Sequence, residues 1–511
     1  MGKINLNIRW YVLVLLVPFS LYGQKVVIQR GAYMTVQDGA KFKVVDASNT
    51  STITIKSDIL GSGSLVDYTT NTTGGVTVDG DFHIELYLTP CDSTLGYTGG
   101  CWHYVSSPIT NATSSVFYLD YLKKWSEPLG KWSGYITSTT EQLYPLQGYA
   151  ISRPSGNSDT KTFTGTVNSQ VAEFVLSRTP NKGGGYNLVG NPYPSAVDIE
   201  SSGITWNQTD AKVWYYNKTG KNYLAYVKGG SGNTGSQYIP AMQGFFVHVN
   251  ENYTTGGLTI SNAARFHDIS VPYYKNGELE MEQDVLYLKA DGQNQSAYDL
   301  LSIVFRPFAT INYDNLYDAG KIYGDVQSPQ LYSMNSENDK LTINVLPWQG
   351  ISTIIPVHFE VPGGTGGIYS ITAIGVENFG SGTTIYLQDL KENTTQELNS
   401  NPVYSFSYAE GDDPARFVLK FDNPFYGVQE NGKTNDIDIY SSGDYLFIKN
   451  NSGMELKGDL YLYDMLGRLM FSKKLENKLL NKIDPENVET GYYLVRIVTS
   501  EETYVRKVFL D

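Results

Sequence analysis

At 511 residues with a formal charge of −14, the chain is too long for one ordinary domain and too acidic for a nucleic-acid partner, whose phosphates need a basic surface. Hydrophobic residues make up 41% of it, enough for ordinary cores in roughly three or four domains of ~100–200 residues. Its 40 Tyr and 50 Gly suit half-buried strands joined by tight turns, so the expected class is all-β: several β-rich or β-sandwich domains in tandem, ending in a small Ig-like sandwich.

The chain opens on a secretory signal. Lys3 and Arg9 precede an almost wholly apolar run from Trp10 to Leu21, and Gly23 supplies a small residue for cleavage, so residues 1–23 are expected to be removed. The run is too short to span a bilayer well, and no other segment is long and apolar enough, so no transmembrane segment is expected in the mature chain. Residues 24–90 are expected to be β-rich and β-helix-like. Ser51-Thr-Ile-Thr-Ile-Lys56 alternates at period two, Gly61-Ser-Gly-Ser64 and Gly74-Gly75 are turns, and Phe82 to Leu88 is a further strand. The only two cysteines, Cys91 and Cys101, flank a turn-rich stretch. In an exported protein they are expected to pair; a metal site would want more ligands at regular spacing.

Residues 91–268 carry an internal duplication. One copy opens with Trp102-His-Tyr-Val-Ser-Ser-Pro108, the other with Tyr186-Asn-Leu-Val-Gly-Asn-Pro192. Phe117 to Asp120, Gly130-Lys-Trp-Ser-Gly-Tyr135 and Leu146-Gln-Gly-Tyr-Ala-Ile151 follow in the first. Val213 to Asn217, Gly220 to Tyr226 and Met242-Gln-Gly-Phe-Phe-Val247 follow in the second. The shared order predicts two related β units of roughly eighty to ninety residues. Residues 269–422 hold longer strand patterns, among them Val285 to Ala290, Leu300 to Phe305, Leu341 to Val345 and Arg416 to Phe421, and predict a sandwich. A polar linker at 423–435 leads to the last module, 436–511.

That module has its own strand pattern. Tyr445 to Asn450 and Gly458 to Tyr463 are strands, and Asp464-Met-Leu-Gly467 is a turn in which Gly467 is free to take positive φ. Arg468 to Lys473 returns, and Gly491 to Val498 with Thr503 to Leu510 form the closing hairpin. Leu460, Leu462, Leu494, Ile497 and Val508 are expected to fill its core. The module resembles the C-terminal sorting domain of the type IX secretion system of Bacteroidetes, in its type A form. The residues that carry the likeness are Tyr463, Asp464, Gly467 and Arg468, then Gly491, Tyr493 and Arg496, then Lys507. Where that family usually opens on a Tyr-Pro-Asn-Pro-like turn, this chain has Ile439-Tyr-Ser-Ser442. The resemblance implies passage through the periplasm and across the outer membrane by the type IX machinery. It also implies removal of the module and either release or attachment to surface lipopolysaccharide.

Catalytic signatures are sparse. The chain has no Gly-x-Ser-x-Gly elbow and only five His, none in a His-Glu-x-x-His pattern. His103 is the most site-like, but its repeat counterpart is Asn187, which suits a packed imidazole better than a catalyst. No cofactor is expected. Asp314 and Asp318 have the ligand chemistry for calcium, against the plainer reading of a solvated loop held by local hydrogen bonds. Trp125, Trp132, Trp206 and Trp214 in the duplicated region suit either core packing or stacking on sugars. The sequence therefore predicts a non-catalytic, adhesin- or matrix-like surface protein. A carbohydrate-binding surface protein and a secreted polysaccharide hydrolase are the competing readings.

Overall fold

The computed structural model describes residues 20–21, 25–45, 50–69, 75–90, 101–153, 157–268, 279, 281–292, 297–348, 352–364, 366–380, 382–422, 437–442, 445–450, 456–464, 468–476, 478–485, 488–499 and 503–510. The protein is all-β, its only helical pieces among these residues being single 3-10 turns. They fall into two compact units, one formed by Met1–Trp348 and Ile354–Phe421, the other by Asp422–Asp511 together with the short segment Gln349–Thr353. Apart from Ser20–Leu21, the expected signal segment lies outside the described residues, as do Cys91 and Gly467.

The N-terminal strands pair in parallel with strands one coil later. Lys25–Ile28 lies beside Thr52–Ile55, which lies beside Asp81–Leu88. Tyr33–Val36 pairs with Ser64–Asp67, and Lys41–Val44 with Gly75–Val78. These parallel pairs share one core, into which alternate residues point: Ile28, Val36, Val44, Ile53, Ile55 and Leu65. The antiparallel strand Asp159–Gly165, from the duplicated region, pairs with Asp81–Leu88 and places Phe163 in the same core.

The duplicated region repeats a single ladder. Trp102–Val105 runs antiparallel to Tyr149–Ser152, with Trp102 opposite Ser152; Tyr186–Gly190 runs antiparallel to Gly244–His248, with Tyr186 opposite His248. In each copy a third strand pairs on the other side. It brings Lys123 opposite Ala150 in the first and Trp214 opposite Phe246 in the second. A hairpin follows, with Trp125 opposite Trp132 and, equivalently, Tyr216 opposite Tyr223. Its turn holds positive φ at Gly130 (60°) and at Lys221 (54°). Two landmarks therefore shift. The third strand of the first copy is Tyr121–Lys123, because Ser114–Phe117 winds into a 3-10 turn, and Gly130 is equivalent to Lys221, not to Gly220.

The copies join reciprocally. Val105 bridges to Gln243 and Val189 to Gln147. The Ser106 N–H donates to Met242 O (2.8 Å) and the Gly190 N–H to Leu146 O (2.9 Å). Leu146 (φ 64°) and Met242 (φ 60°) share a left-handed turn there. The recurring Gln-Gly pair has its reason at this crossing. A Cβ on Gly148 would lie 2.4 Å from Val189 O, and one on Gly244 2.8 Å from the Tyr104 Cβ.

The last part of the first unit is one 11-stranded sheet that folds over on itself around Leu286, Leu301, Phe305, Phe359, Ile371, Phe417 and their neighbours. Its edge strands Thr394–Glu397 and Val403–Tyr408 meet where Gln396 Nε2 donates to Val403 O (2.9 Å). Arg416 crosses the interior as a bidentate pair with Asp389 (2.9 and 2.6 Å).

The second unit is a sandwich of a three-stranded and a four-stranded sheet. Leu460, Leu462, Ile497 and Val508 enter its core as expected, but Leu494 does not. Tyr493, Val495 and Ile497 hold the buried face, and strand period two turns Leu494 to the opposite side. Ile437–Ser442 is a strand paired with Tyr445–Asn450, so no turn occupies that position.

Candidate functional site

The hairpin of the first copy ends on a cross-strand tryptophan pair. The Trp125 and Trp132 rings meet edge to face at 5.5 Å and pack on Phe246 at 5.7 and 6.3 Å. Trp125 Nε1 donates to Tyr186 O (2.7 Å), and Tyr104 lies 5.5 Å from Trp132. One side of the pair thus belongs to the core between the copies. The other side lines an open groove of about 690 Å³ with Lys124, Lys131, Leu129, Phe174 and Val175. Leu129 and Val175 are 58% and 83% exposed. Trp214 is buried, with its Nε1 donating to Gly320 O (2.9 Å).

Glu127, which sequence reasoning passed over, is the acidic residue of the groove lining. Its carboxylate is fully committed. It accepts from the Thr179 N–H (2.6 Å), the Gly185 N–H (2.9 Å) and the hydroxyls of Ser177 (2.8 Å) and Thr179 (3.0 Å). Burial pushes its pKa up, but these hydrogen bonds, led by that of Thr179, outweigh burial and hold it below the usual glutamate value. Glu127 therefore fastens the hairpin to the second copy and has no lone pair left for a substrate proton. The glycoside-cleaving pair of carboxylates needs two acids across a cleft, and the groove lining offers only this one.

His103 is buried, its Nε2 3.2 Å from the Thr89 hydroxyl. Burial and then the nearby Lys218 charge lower its pKa to about 3, so it is a neutral packed imidazole. The equivalent Asn187 bonds to Ser177 O (2.8 Å) and Gly185 O (2.7 Å). Asp314 and Asp318 are turned to backbone groups. Asp318 accepts from the N–H groups of Asp314 and Val345 (both 2.7 Å), and Asp314 accepts from Leu316 N–H (3.0 Å). Among the described residues no group of three or more His, Cys, Asp or Glu is arranged for a metal ion. No helix among them is long and apolar enough to cross a membrane.

In the second unit Asp464 closes its turn from both sides. It accepts from Arg468 N–H (2.8 Å) and Nε (2.6 Å), while its own N–H donates to Arg468 O (3.0 Å). Tyr463 and Tyr493 stand on the paired central strands, and the Tyr493 hydroxyl donates to Glu489 O (2.7 Å). Gly491 and Lys507 lie on the closing hairpin, and Arg468, Arg496 and Lys507 are exposed.

Comparison with known proteins accounts for both units. Residues 429–511 match the secretion system C-terminal sorting domain, so the last module is a type IX sorting domain and the protein is directed to the cell surface or beyond it. The chain is 24% identical over 470 residues to the Minor fimbrium subunit Mfa5 of Porphyromonas gingivalis, covering 84% of this chain and 36% of that longer relative. Two solved structures are similar at 10% identity. One is a biofilm associated protein, BSP domain (83% of this chain, 95% of that one, TM-score 0.13). The other is a Ca2+-stabilized adhesin by which an Antarctic bacterium binds ice (84% and 99%, TM-score 0.12). At those scores neither carries an argument. Residues 14–421 match a further family model, and the chain belongs to that family, described as Domain of unknown function (DUF8693).

Proposed function

We propose that the protein is a non-catalytic, adhesin-like structural component of the bacterial surface, with residues 436–511 acting as its signal to the type IX machinery. The observation that carries this is the sorting-domain match on a module with a core of its own. The fimbrial relative and the saturated Glu127 carboxylate support the non-catalytic part. Tyr463, Asp464, Gly467, Arg468, Gly491, Tyr493, Arg496 and Lys507 form the sorting motif. Asp464 and Tyr493 shape it, and the exposed cations Arg468, Arg496 and Lys507 meet the machinery. After passage the module is removed, and the rest is released or joined to surface lipopolysaccharide. Cys91 and Cys101 pair in the exported protein; Cys101 is buried, and no cysteine is free among the described residues.

A second reading, carbohydrate binding, rests on the half-exposed Trp125–Trp132 pair in its groove. Affinity electrophoresis in surface polysaccharides, with Trp132→Ala as control, tests it: equal mobility of the two proteins excludes it. The main reading is tested by grafting residues 423–511 onto a periplasmic reporter in a type IX-competent host. The reporter should reach the surface or medium, and retention in the periplasm would contradict the assignment.

A further inference from the structure

Lys212 is the first residue of the strand Lys212–Asn217, yet it is only 1% exposed. A buried ammonium needs an anionic partner in contact, and its hydrogen bonds go elsewhere: Nζ meets the Tyr313 hydroxyl at 3.1 Å and Asn315 Oδ1 at 3.2 Å, with the Tyr313 ring 4.9 Å away. Asp210, the nearest carboxylate along the chain, is already engaged by His248 (2.7 Å) and Asn250 (3.0 Å). Asp318, fully buried, holds the Asn315 loop: its oxygens accept from Asp314 N–H and from Val345 N–H on the strand Lys340–Leu346. A buried lysine amine is thus held against the side-chain amide of the half-buried Asn315, with a buried carboxyl at the base of the same loop.

We propose that Lys212 and Asn315 form an intramolecular isopeptide bond, with Asp318 as the proton-transfer group. The neutral Lys212 amine attacks the Asn315 amide carbon, forming a new C–N bond. Asp318 takes a proton from that nitrogen and passes it to the amide nitrogen, which leaves as ammonia. Asp318 ends as it began, and no oxidant or cofactor is consumed.

The electrostatics favour these protonation states. Burial lowers the Lys212 pKa to about 8, against the pull of Asp210 and Asp318, so a real fraction is uncharged near neutrality. Burial raises Asp318 to about 7, where it can both give and accept a proton. Asp210, by contrast, is held ionised, since the His248 bond and the Lys212 charge outweigh its burial. Fixing amine and amide at contact distance supplies the positional advantage that makes amide exchange feasible. The bond would staple the second copy to the folded-over sheet across a separation of 103 residues, a brace suited to a surface protein under tension.

The test is the intact mass of the reduced, denatured full-length mature chain, followed by peptide mapping. The wild type should be lighter than its sequence by one ammonia and should yield a branched peptide joining the Lys212 and Asn315 segments. Lys212→Arg and Asn315→Ala should each return the full mass. Asp318→Asn, with folding checked by circular dichroism, should also stay at the full mass. A wild type at its full sequence mass, with Lys212 and Asn315 in separate linear peptides, overturns the proposal, and that result needs no variant to fold. A branched peptide from Asp318→Asn at wild-type yield would overturn the role given to Asp318.

Discussion

The two copies of the duplicated region have one backbone plan and two destinations. Their ladders share a register, and their turns share left-handed residues at Leu146 and Met242 and at Gly130 and Lys221. Their side chains differ where their surroundings do. At one ladder position the first copy has Lys123, lying over the Tyr135 ring at 4.4 Å, and the second has the buried Trp214. At the neighbouring pair the aromatic ring changes strand: Tyr104 faces Ala150 in the first copy and Leu188 faces Phe246 in the second. The Tyr104 and Phe246 rings, 6.0 Å apart, then share the core between the copies. The difference teaches that backbone pattern was kept where the copies cross, while burial was reassigned where only one copy meets the rest of the unit.

The widest split should come at that exchanged position. Trp214→Ala removes a fully buried indole and leaves Gly320 O without its donor, so it should cost about 3–5 kcal/mol. Lys123→Ala should stay within about 0.5 kcal/mol, apart from its ring contacts. Denaturant melts of the two variants read this directly, and equal losses would break the comparison.

A smaller, pH-dependent effect separates His103 from Asn187. The folded state keeps His103 neutral down to about 3, whereas the unfolded chain protonates it near 6.5. The unfolded state therefore binds more protons in that window, and stability falls as pH drops from 6.5 toward 3. The slope from one such histidine reaches about 1.4 kcal/mol per pH unit. His103→Asn, which installs the residue of the second copy, should flatten the fall in melting temperature between neutral and mildly acidic pH. His267, lowered to about 4 by burial and the nearby Arg265, should leave a residual slope. An unchanged profile in His103→Asn would show that the imidazole is not the group responsible.

Much of the fold was legible because the signals were local. Alternation in Ser51 to Lys56 marked a strand that the structure forms at Thr52–Ile55. The Gln-Gly pairs could be seen because close packing at the crossing demands glycine at both sites. The sorting module could be read from its turns and closing hairpin, and Asp464 does close its turn. What failed depended on register or on distance in sequence. Phe117 to Asp120 was matched to Val213 to Asn217, but the 3-10 turn at Ser114–Phe117 delays the equivalent strand to Tyr121. Leu494 was placed in the core by its hydrophobicity, although it and Ile497 lie three residues apart and so on opposite faces of a strand. The contact of Lys212 with Asn315 and the clamp on Glu127 join residues 103 and about 50 positions apart, which no local pattern announces.

The central claim is that export depends on a separable C-terminal module. The most direct test is fractionation of the native host expressing either the full chain or a chain lacking residues 436–511. The first unit has its own cores and should stay folded without the module, so the truncated protein should accumulate, soluble and protease-resistant, in the periplasm. The full chain should instead reach the surface or the medium. Unchanged surface or medium levels of the truncated protein would contradict the account.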